Sequence, residues 1–288
     1  MDSKIILITG STGGIGKITA KALAKQGHTV VIHGRHKEKT ISVCEEIKSE
    51  TGNEKIDFVI ADLFLLSEVK QLAELFKKKY ERLDVLINNA GAIFGKERET
   101  TQEGLEKTMA LNLFSPFLLT QLMLKVLVKS PAARIINVSS AAHNMSGKPD
   151  LHDIQSTKNY SFGNAYGLSK LYLIWVTQHL ATELKTTGMA TVTANSLHPG
   201  TIKTEFGQRA KKGFVVDLLF NLSMLFAVSP EKGAENTIYL ATAKEVEQIS
   251  GKYFANKKIA KPSMKYYSPE NEKAVWEYCK LITQPYLG

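Results

Sequence analysis

At 288 residues and 43% hydrophobic content, the chain is long enough to bury a sizeable core. No repeat, low-complexity tract or Pro/Gly-rich linker divides it, so one domain over 1–288 is expected. The net charge of +9 comes without aromatic-interleaved basic motifs, zinc-finger spacing or a helix-turn-helix pattern, which sets nucleic acid aside as a partner. Met1 leads almost directly into an apolar run at 5–8, with no room for a secretory signal, and Cys44 and Cys279 lie far apart with no metal-ligand spacing. A cytoplasmic, reducing setting without a metal site is the economical reading.

The predicted elements begin with a strand over 5–9. It runs into Gly10-Ser11-Thr12-Gly13-Gly14-Ile15-Gly16 and then into residues of helical composition, 17–25. A strand, a glycine turn and a helix N-terminus together make an anion site, because free backbone N–H groups and the positive end of the helix dipole converge there. Gly10, Gly14 and Gly16 let the backbone turn, approach a pyrophosphate and pack the helix on the sheet. A second strand, 29–33, ends at Gly34-Arg35 and precedes a polar helix over 37–49. An acid near this strand end would suit the ribose hydroxyl of NAD, whereas Arg35 suits a ribose 2'-phosphate, so NADP(H) is the expected cofactor, with NAD(H) as the alternative. A third strand, 56–61, ends at Asp62-Leu63, where Asp62 could cap the next helix or accept from an adenine amino group. After a helix over 67–80, a fourth strand, 83–87, leads into Asn88-Asn89-Ala90-Gly91, small and amide residues placed where parallel sheets bind ligands. Short apolar strands alternate with helices throughout, so the expected fold is α/β: a Rossmann-like doubly wound parallel sheet of about seven strands with helices on both faces.

A long helix is expected over 102–128. Within it Pro116 lies four residues after Asn112, has no N–H to give that residue's carbonyl and crowds it, so the helix should break there and free a C=O able to hold a water. A fifth strand, 134–138, delivers Ser139 and Ser140 at its carboxyl end, and 141–163 reads as a long polar loop over the site, carrying His143 and His152. Then comes Asn164-Ala165-Tyr166-Gly167-Leu168-Ser169-Lys170 at the start of a long apolar helix. A phenol and an ammonium four residues apart share one helix face with about 6 Å of axial rise between them. Lys170 should therefore pull Tyr166 below its ordinary pKa of about 10, toward a working general acid/base.

The apolar breadth of this helix, matched in 113–128, exceeds what packing on one sheet face needs, and a homodimer through these helices would bury the surplus. A sixth strand, 190–197, ends at His198-Pro199-Gly200-Thr201-Ile202-Lys203-Thr204, whose amides and Thr204 hydroxyl could lie beside the polar end of a cofactor. The apolar stretch 214–228, interrupted by Asp217 and Asn221, is too short and too polar to span a bilayer. It fits a substrate lid over about 201–229 covering a lipophilic small molecule, or else a segment in a membrane interface. Ser229-Pro230-Glu231 opens another helix, 251–255 reads as a seventh strand, and a final helix runs over 269–283. Lys252, Lys257, Lys258, Lys261 and Lys265 fall in an acid-free stretch, which reads first as a solvated face and second as a peripheral contact with an anionic membrane.

Thr9-Gly10 with Gly14-Ile15-Gly16, Asp62, the Asn88-Asn89-Ala90-Gly91 quartet, Asn112, Ser140, Tyr166 with Lys170, and Pro199-Gly200 with Thr204 stand in the order and spacing of the short-chain dehydrogenase/reductase family, which the chain resembles over nearly its full length. His198 before Pro199-Gly200, the His152-Asp153-Ile154-Gln155 loop and Ser250-Gly251-Lys252-Tyr253-Phe254 resemble its retinol-dehydrogenase-like branch. Members of that branch commonly carry an Asn near the position of Thr12 and an N-terminal membrane anchor, neither of which this sequence shows.

The resemblance implies an alcohol dehydrogenase or carbonyl reductase. Tyr166 would exchange the proton, Lys170 would lower its pKa and hold the nicotinamide ribose, Ser140 would bind the substrate oxygen, with Ser139 as the fallback serine, and Asn112 would hold a relay water. The implied cofactor contacts are Gly10, Ser11, Gly14, Ile15, Gly16, Arg35, Asp62, Leu63, Asn89, Ala90, Gly91, Tyr166, Lys170, Pro199, Gly200, Ile202 and Thr204. A non-catalytic dinucleotide sensor or membrane-associated scaffold is the rival reading, and it has no use for the acid/base pair.

Overall fold

Strand residues of both parities are apolar because both faces of the sheet are covered. Leu7, Val31, Leu86 and Ile135 enter one core, and Ile6, Ile8, Val30, Ile32, Val85 and Ile87 enter the other. The computed structural model describes residues 3–200 and 229–288, so the expected lid, with Ile202 and Thr204, lies outside the described residues. Strands β1 (Ile5–Ile8), β2 (Thr29–Gly34), β3 (Ile56–Ile60), β4 (Val85–Asn88), β5 (Ala133–Val138), β6 (Val192–Leu197) and β7 (Tyr253–Ala255) pair in parallel. The sheet order is β3-β2-β1-β4-β5-β6-β7-β8. The order reverses between β1 and β4, and the carboxyl ends of the strands at such a reversal are where these sheets bind ligands.

The sequence led to an expectation of about seven strands, and the described residues form eight. The additional one, β8 (Lys258–Ala260), is antiparallel to β7. Asn256 and Lys257 make the two-residue turn with φ of 50° and 61°, the left-handed values that a tight hairpin demands and that Asn tolerates.

Helices α1 (Gly14–Lys25), α2 (Lys37–Thr51) and α6 (Pro230–Thr242) cover one face, and α3 (Leu66–Lys79), α4 (Lys107–Leu127) and α5 (Phe162–Thr186) the other. Helix α4 starts at Lys107 rather than near 102, because the Glu106 carboxylate accepts from the N–H groups of Thr108 and Met109 and caps it there. Its composition and length would suit a membrane span, but 78% of that apolar window is buried inside the fold, as in a core helix. The break expected at Pro116 takes the form of a π-helical turn over Ala110–Phe114, closed by the Ser115 N–H on the Ala110 carbonyl five residues back.

The surplus apolar breadth of α4 and α5 is met inside the chain. Helix α7 (Pro269–Thr283) lies over it, with Trp276 edge-on to Phe117 at 4.9 Å and tilted against His179 at 4.6 Å. His179 also pairs with Glu272 at 3.1 Å. This contact removes the premise on which a homodimer through these helices was expected.

Candidate active site

The glycine turn after β1 is built by close approach. Gly10 has φ +62°, and a Cβ there would stand 2.9 Å from Ala90 Cα; one on Gly16 would stand 2.4 Å from the Gly10 carbonyl. These contacts seat the first turn of α1 directly on the loop. The helix has Gly13 as its N-cap and no side-chain cap, so its first-turn amides remain available to an anion at the positive end of the dipole. Gly14 is exposed and Ile15 partly buried in that turn. A nicotinamide dinucleotide fits this cradle through its pyrophosphate.

Two residues expected as cofactor contacts turn out to brace the loop. The Ser11 hydroxyl donates to the Ile8 carbonyl at 2.7 Å and accepts from His33 N–H, and its own amide bonds the His33 carbonyl, so Ser11 is buried with both groups engaged. The Asn89 side chain donates to the carbonyls of Thr9 and Gly10. Sequence reading passed over His33. Its Nδ1 accepts from Gly10 N–H at 3.0 Å and its Nε2 bonds the Ala61 carbonyl, while burial holds its pKa down at about 4, so it stays neutral. The one available signal was an isolated imidazole at the end of an otherwise apolar strand.

Arg35 is exposed at the end of β2 and donates through Nε to His36 at 3.1 Å, and it forms no ion pair among the described residues. Asp62, partly buried after β3, accepts from Phe64 N–H at 3.0 Å, and Leu63 is buried. Ala90 and Gly91 are partly buried beyond β4. Pro199 and Gly200 follow β6, Gly200 with φ +90°.

The two serines after β5 have different tasks. Ser139 is buried and donates to the Lys170 carbonyl at 2.8 Å, which removes it as the fallback. Ser140 is partly exposed and hydrogen-bonds the Tyr166 phenol. Helix α5 brings Tyr166 and Lys170 to this point, and Lys170 Nζ lies 5.8 Å from the phenol ring centroid. Gly91 closes the other side, where a Cβ would stand 3.0 Å from Lys170 Nζ and 3.1 Å from Asn112 Oδ1. From the π turn, Asn112 accepts from Ala92 N–H and donates to the Ala92 carbonyl, both at 3.0 Å, and donates to Ser169 at 3.1 Å. Asn112 therefore clamps the loop after β4 to α5.

The electrostatics correct one expectation. Burial raises the Tyr166 phenol to about 12, with Ser140 opposing through its hydrogen bond, and Lys170 does not pull it down. The reason lies in Lys170 itself: burial brings its ammonium to about 7, and it donates to the Val138 carbonyl at 3.0 Å instead of to the phenol. A lysine whose charge is disfavoured by burial and whose nitrogen turns to a backbone carbonyl supplies little field to the tyrosine. The resulting group is a protonated phenol joined to a serine hydroxyl, able to give a proton to an oxygen placed between them.

Comparison with known proteins agrees with this geometry. The sequence pattern described as short chain dehydrogenase matches residues 4–213. The chain is 36% identical over 280 residues to retinol dehydrogenase 12 of Mus musculus, spanning 97% of this chain and 86% of that one. It is also 36% identical over 283 residues to polyprenol dehydrogenase of Homo sapiens, spanning 95% and 83%. A short chain dehydrogenase of Escherichia coli CFT073, crystallised with NADPH, superposes with a TM-score of 0.68 at 25% identity, covering 90% of this chain and 98% of its own. With the switch-point sheet, the glycine cradle and the serine–tyrosine–lysine group all in place, the chain belongs to the short chain dehydrogenase family of oxidoreductases and is retinol-dehydrogenase-like within it.

Proposed function

We propose that the protein interconverts a lipophilic alcohol and its aldehyde or ketone with NADP(H). The observation that carries this reading is the Ser140–Tyr166 hydrogen bond with Lys170 Nζ 5.8 Å from the phenol ring, in a fold that also offers an anion the uncapped first turn of α1. When bound, the nicotinamide supplies or accepts the hydride. Tyr166 gives its proton to the carbonyl oxygen in reduction and takes it back in oxidation, and Ser140 holds that oxygen. Lys170 turns from the Val138 carbonyl to the ribose, and Asn112 fixes the loop that carries Ala92.

The first-turn amides of α1 and the backbone of Gly10, Gly14, Ile15 and Gly16 take the pyrophosphate. Asp62 and Leu63 border the adenine, while Pro199 and Gly200, with Ile202 and Thr204, take the nicotinamide end. Arg35 reads the 2'-phosphate, a role supported by its exposure and by its forming no ion pair among the described residues. A lipophilic substrate accords with the names of the two relatives and with Met145, an apolar side chain 82% exposed on the turn that follows Ser140.

One domain with a lid over 201–229, a cytoplasmic setting and a peripheral membrane contact complete the proposal. The membrane contact is supported by the exposed lysines 252, 257, 258, 261 and 265 beside exposed Ile259 and Met264. Sedimentation with anionic but not neutral vesicles tests it. The chemistry is tested by NADPH absorbance with retinal, a polyprenal and decanal. Tyr166→Phe should keep NADPH affinity and lose roughly a hundredfold or more in turnover; undiminished turnover removes the proton role. Arg35→Ala should weaken NADPH roughly tenfold or more and NADH little, and an unchanged ratio of the two Kd values rejects Arg35 as the phosphate reader.

A further inference from the structure

Three rings stand in a row behind Ser140. His143 lies on the 3-10 turn Ala141–Met145, wholly buried, with Nδ1 2.6 Å from the Ser140 carbonyl oxygen. A carbonyl only accepts, so Nδ1 carries the proton and Nε2 keeps a lone pair, buried without a partner among the described residues. Burial lowers the His143 pKa, consistent with a neutral ring. That ring meets Tyr253 of β7 edge-on, centroids 5.0 Å apart at 71°. The Tyr253 phenol is buried and held well above its ordinary pKa, so it keeps its proton; its oxygen hydrogen-bonds His198 Nδ1 at 2.6 Å, and the two rings stack at 5.6 Å.

Both ends of the row hold a turn of the site. At one end, Ser140 begins the turn that carries His143, and this turn presses on α5 directly after Tyr166: a Cβ on Gly167 would stand 3.1 Å from the Ala142 carbonyl. At the other end, His198 immediately precedes Pro199–Gly200. Its N–H bonds the Phe254 carbonyl, and its own carbonyl accepts from Asn236. Two imidazoles and a phenol are poor filler for a core, since each brings polar atoms that must be satisfied. Here the bonds they make run to the Ser140 backbone and between the residues on β7 and after β6, while His143 Nε2 has no partner among the described residues.

We propose that His143, Tyr253 and His198 form one positioning unit that locks the Ser140 turn to the Pro199–Gly200 turn, so that the substrate oxygen and the cofactor are presented in register. The unit rests on the reading of Ser140 and Pro199–Gly200 given under the proposed function. It adds three positioning residues, none of which touches the reacting atoms.

The test compares Tyr253→Phe, His143→Phe, His143→Asn and the double variant His143→Phe/Tyr253→Phe with the full-length protein. NADPH Kd is read by cofactor fluorescence, and kcat and KM are read with decanal. Tyr253→Phe removes one hydroxyl and keeps the ring. It should raise the NADPH Kd and lower kcat, each roughly three- to tenfold, with thermal unfolding within a few degrees of wild type. His143→Phe should lower kcat and leave the NADPH Kd unchanged. His143→Asn, whose amide can still donate to the Ser140 carbonyl, should recover most of that loss. In the double variant the kcat loss should be smaller than the product of the single losses, as for residues acting as one unit.

Losses that multiply, an Asn variant no better than Phe, or a Tyr253→Phe protein with wild-type Kd and kcat each overturn the proposal. If His143→Phe does not fold, the Tyr253→Phe result decides alone. Wild-type protein that consumes no NADPH with any carbonyl would retire the functional reading instead. The Kd of Tyr253→Phe would still test the His198 half of the unit.

Discussion

Lys170 is drawn against the Val138 carbonyl, and burial is the sole cause of its lowered pKa, so in the cofactor-free protein it titrates near pH 7. The unfolded chain would hold that proton up to about 10.5. The unfolded state therefore binds more protons between these values, and stability rises as pH climbs from about 7 toward 10.5. A ribose hydroxyl accepting from the ammonium would favour the charged form, so cofactor binding near pH 8 should take up as much as one proton. Calorimetry in two buffers of different ionisation enthalpy measures this uptake. We expect it in wild type and not in Lys170→Met, which should also melt higher without cofactor while binding NADPH more weakly. Heats independent of buffer in the wild-type protein would show that Lys170 does not charge on binding. The i, i+4 spacing of Tyr166 and Lys170 was legible from sequence, but the direction of their pKa values was not. Spacing reports which side chains share a helix face, whereas desolvation depends on what the rest of the chain packs around them.

At the scale of elements, α4 shows how far a local rule carries. Pro116 announced a break, and the π turn supplies it. What the break is for follows from Asn112, whose amide takes both backbone groups of Ala92 together with Ser169. Asn112→Leu keeps the approximate volume and leaves the partly buried N–H and C=O of Ala92 unmatched. It should cost roughly 2–4 kcal/mol in urea unfolding and lower turnover as the loop after β4 loosens; a variant as stable as wild type would show that the clamp is dispensable. Strand β8 escaped the sequence reading for a related reason: three residues on either side of Asn256-Lys257 are too few for periodicity to register. The assignment of the two serines also needed the fold, since both stand at the end of β5 and the side to which each side chain points depends on α5.

For the molecule as a whole, the C-terminal helix decides how α4 and α5 are finished. Trp276 is 6% exposed and sits between Phe117 and His179. Trp276→Ala should cost about 3–5 kcal/mol by transfer and cavity terms together. It would also bare part of the apolar face beneath, so light scattering should find self-association in the variant that the wild-type protein lacks at the same concentration. Wild-type protein that is already dimeric, with the variant unchanged, would mean that another surface holds the dimer.

The sequence by itself determined the alternation of buried strands and helices, the glycine turn leading into a helix N-terminus, Arg35 at the end of β2, and the phenol–ammonium spacing on α5. Each of these is a local pattern, fixed by backbone geometry and by residues a few positions apart. Only the tertiary structure decided that Ser140 and not Ser139 meets the phenol, that Ser11 and Asn89 brace the cradle together with His33, that burial raises Tyr166 and lowers Lys170, and that α7 covers the apolar faces of α4 and α5. These outcomes depend on groups far apart in the chain, whose hydrogen bonds and solvation are set only when the sheet, its crossover helices and the C-terminal helix pack together.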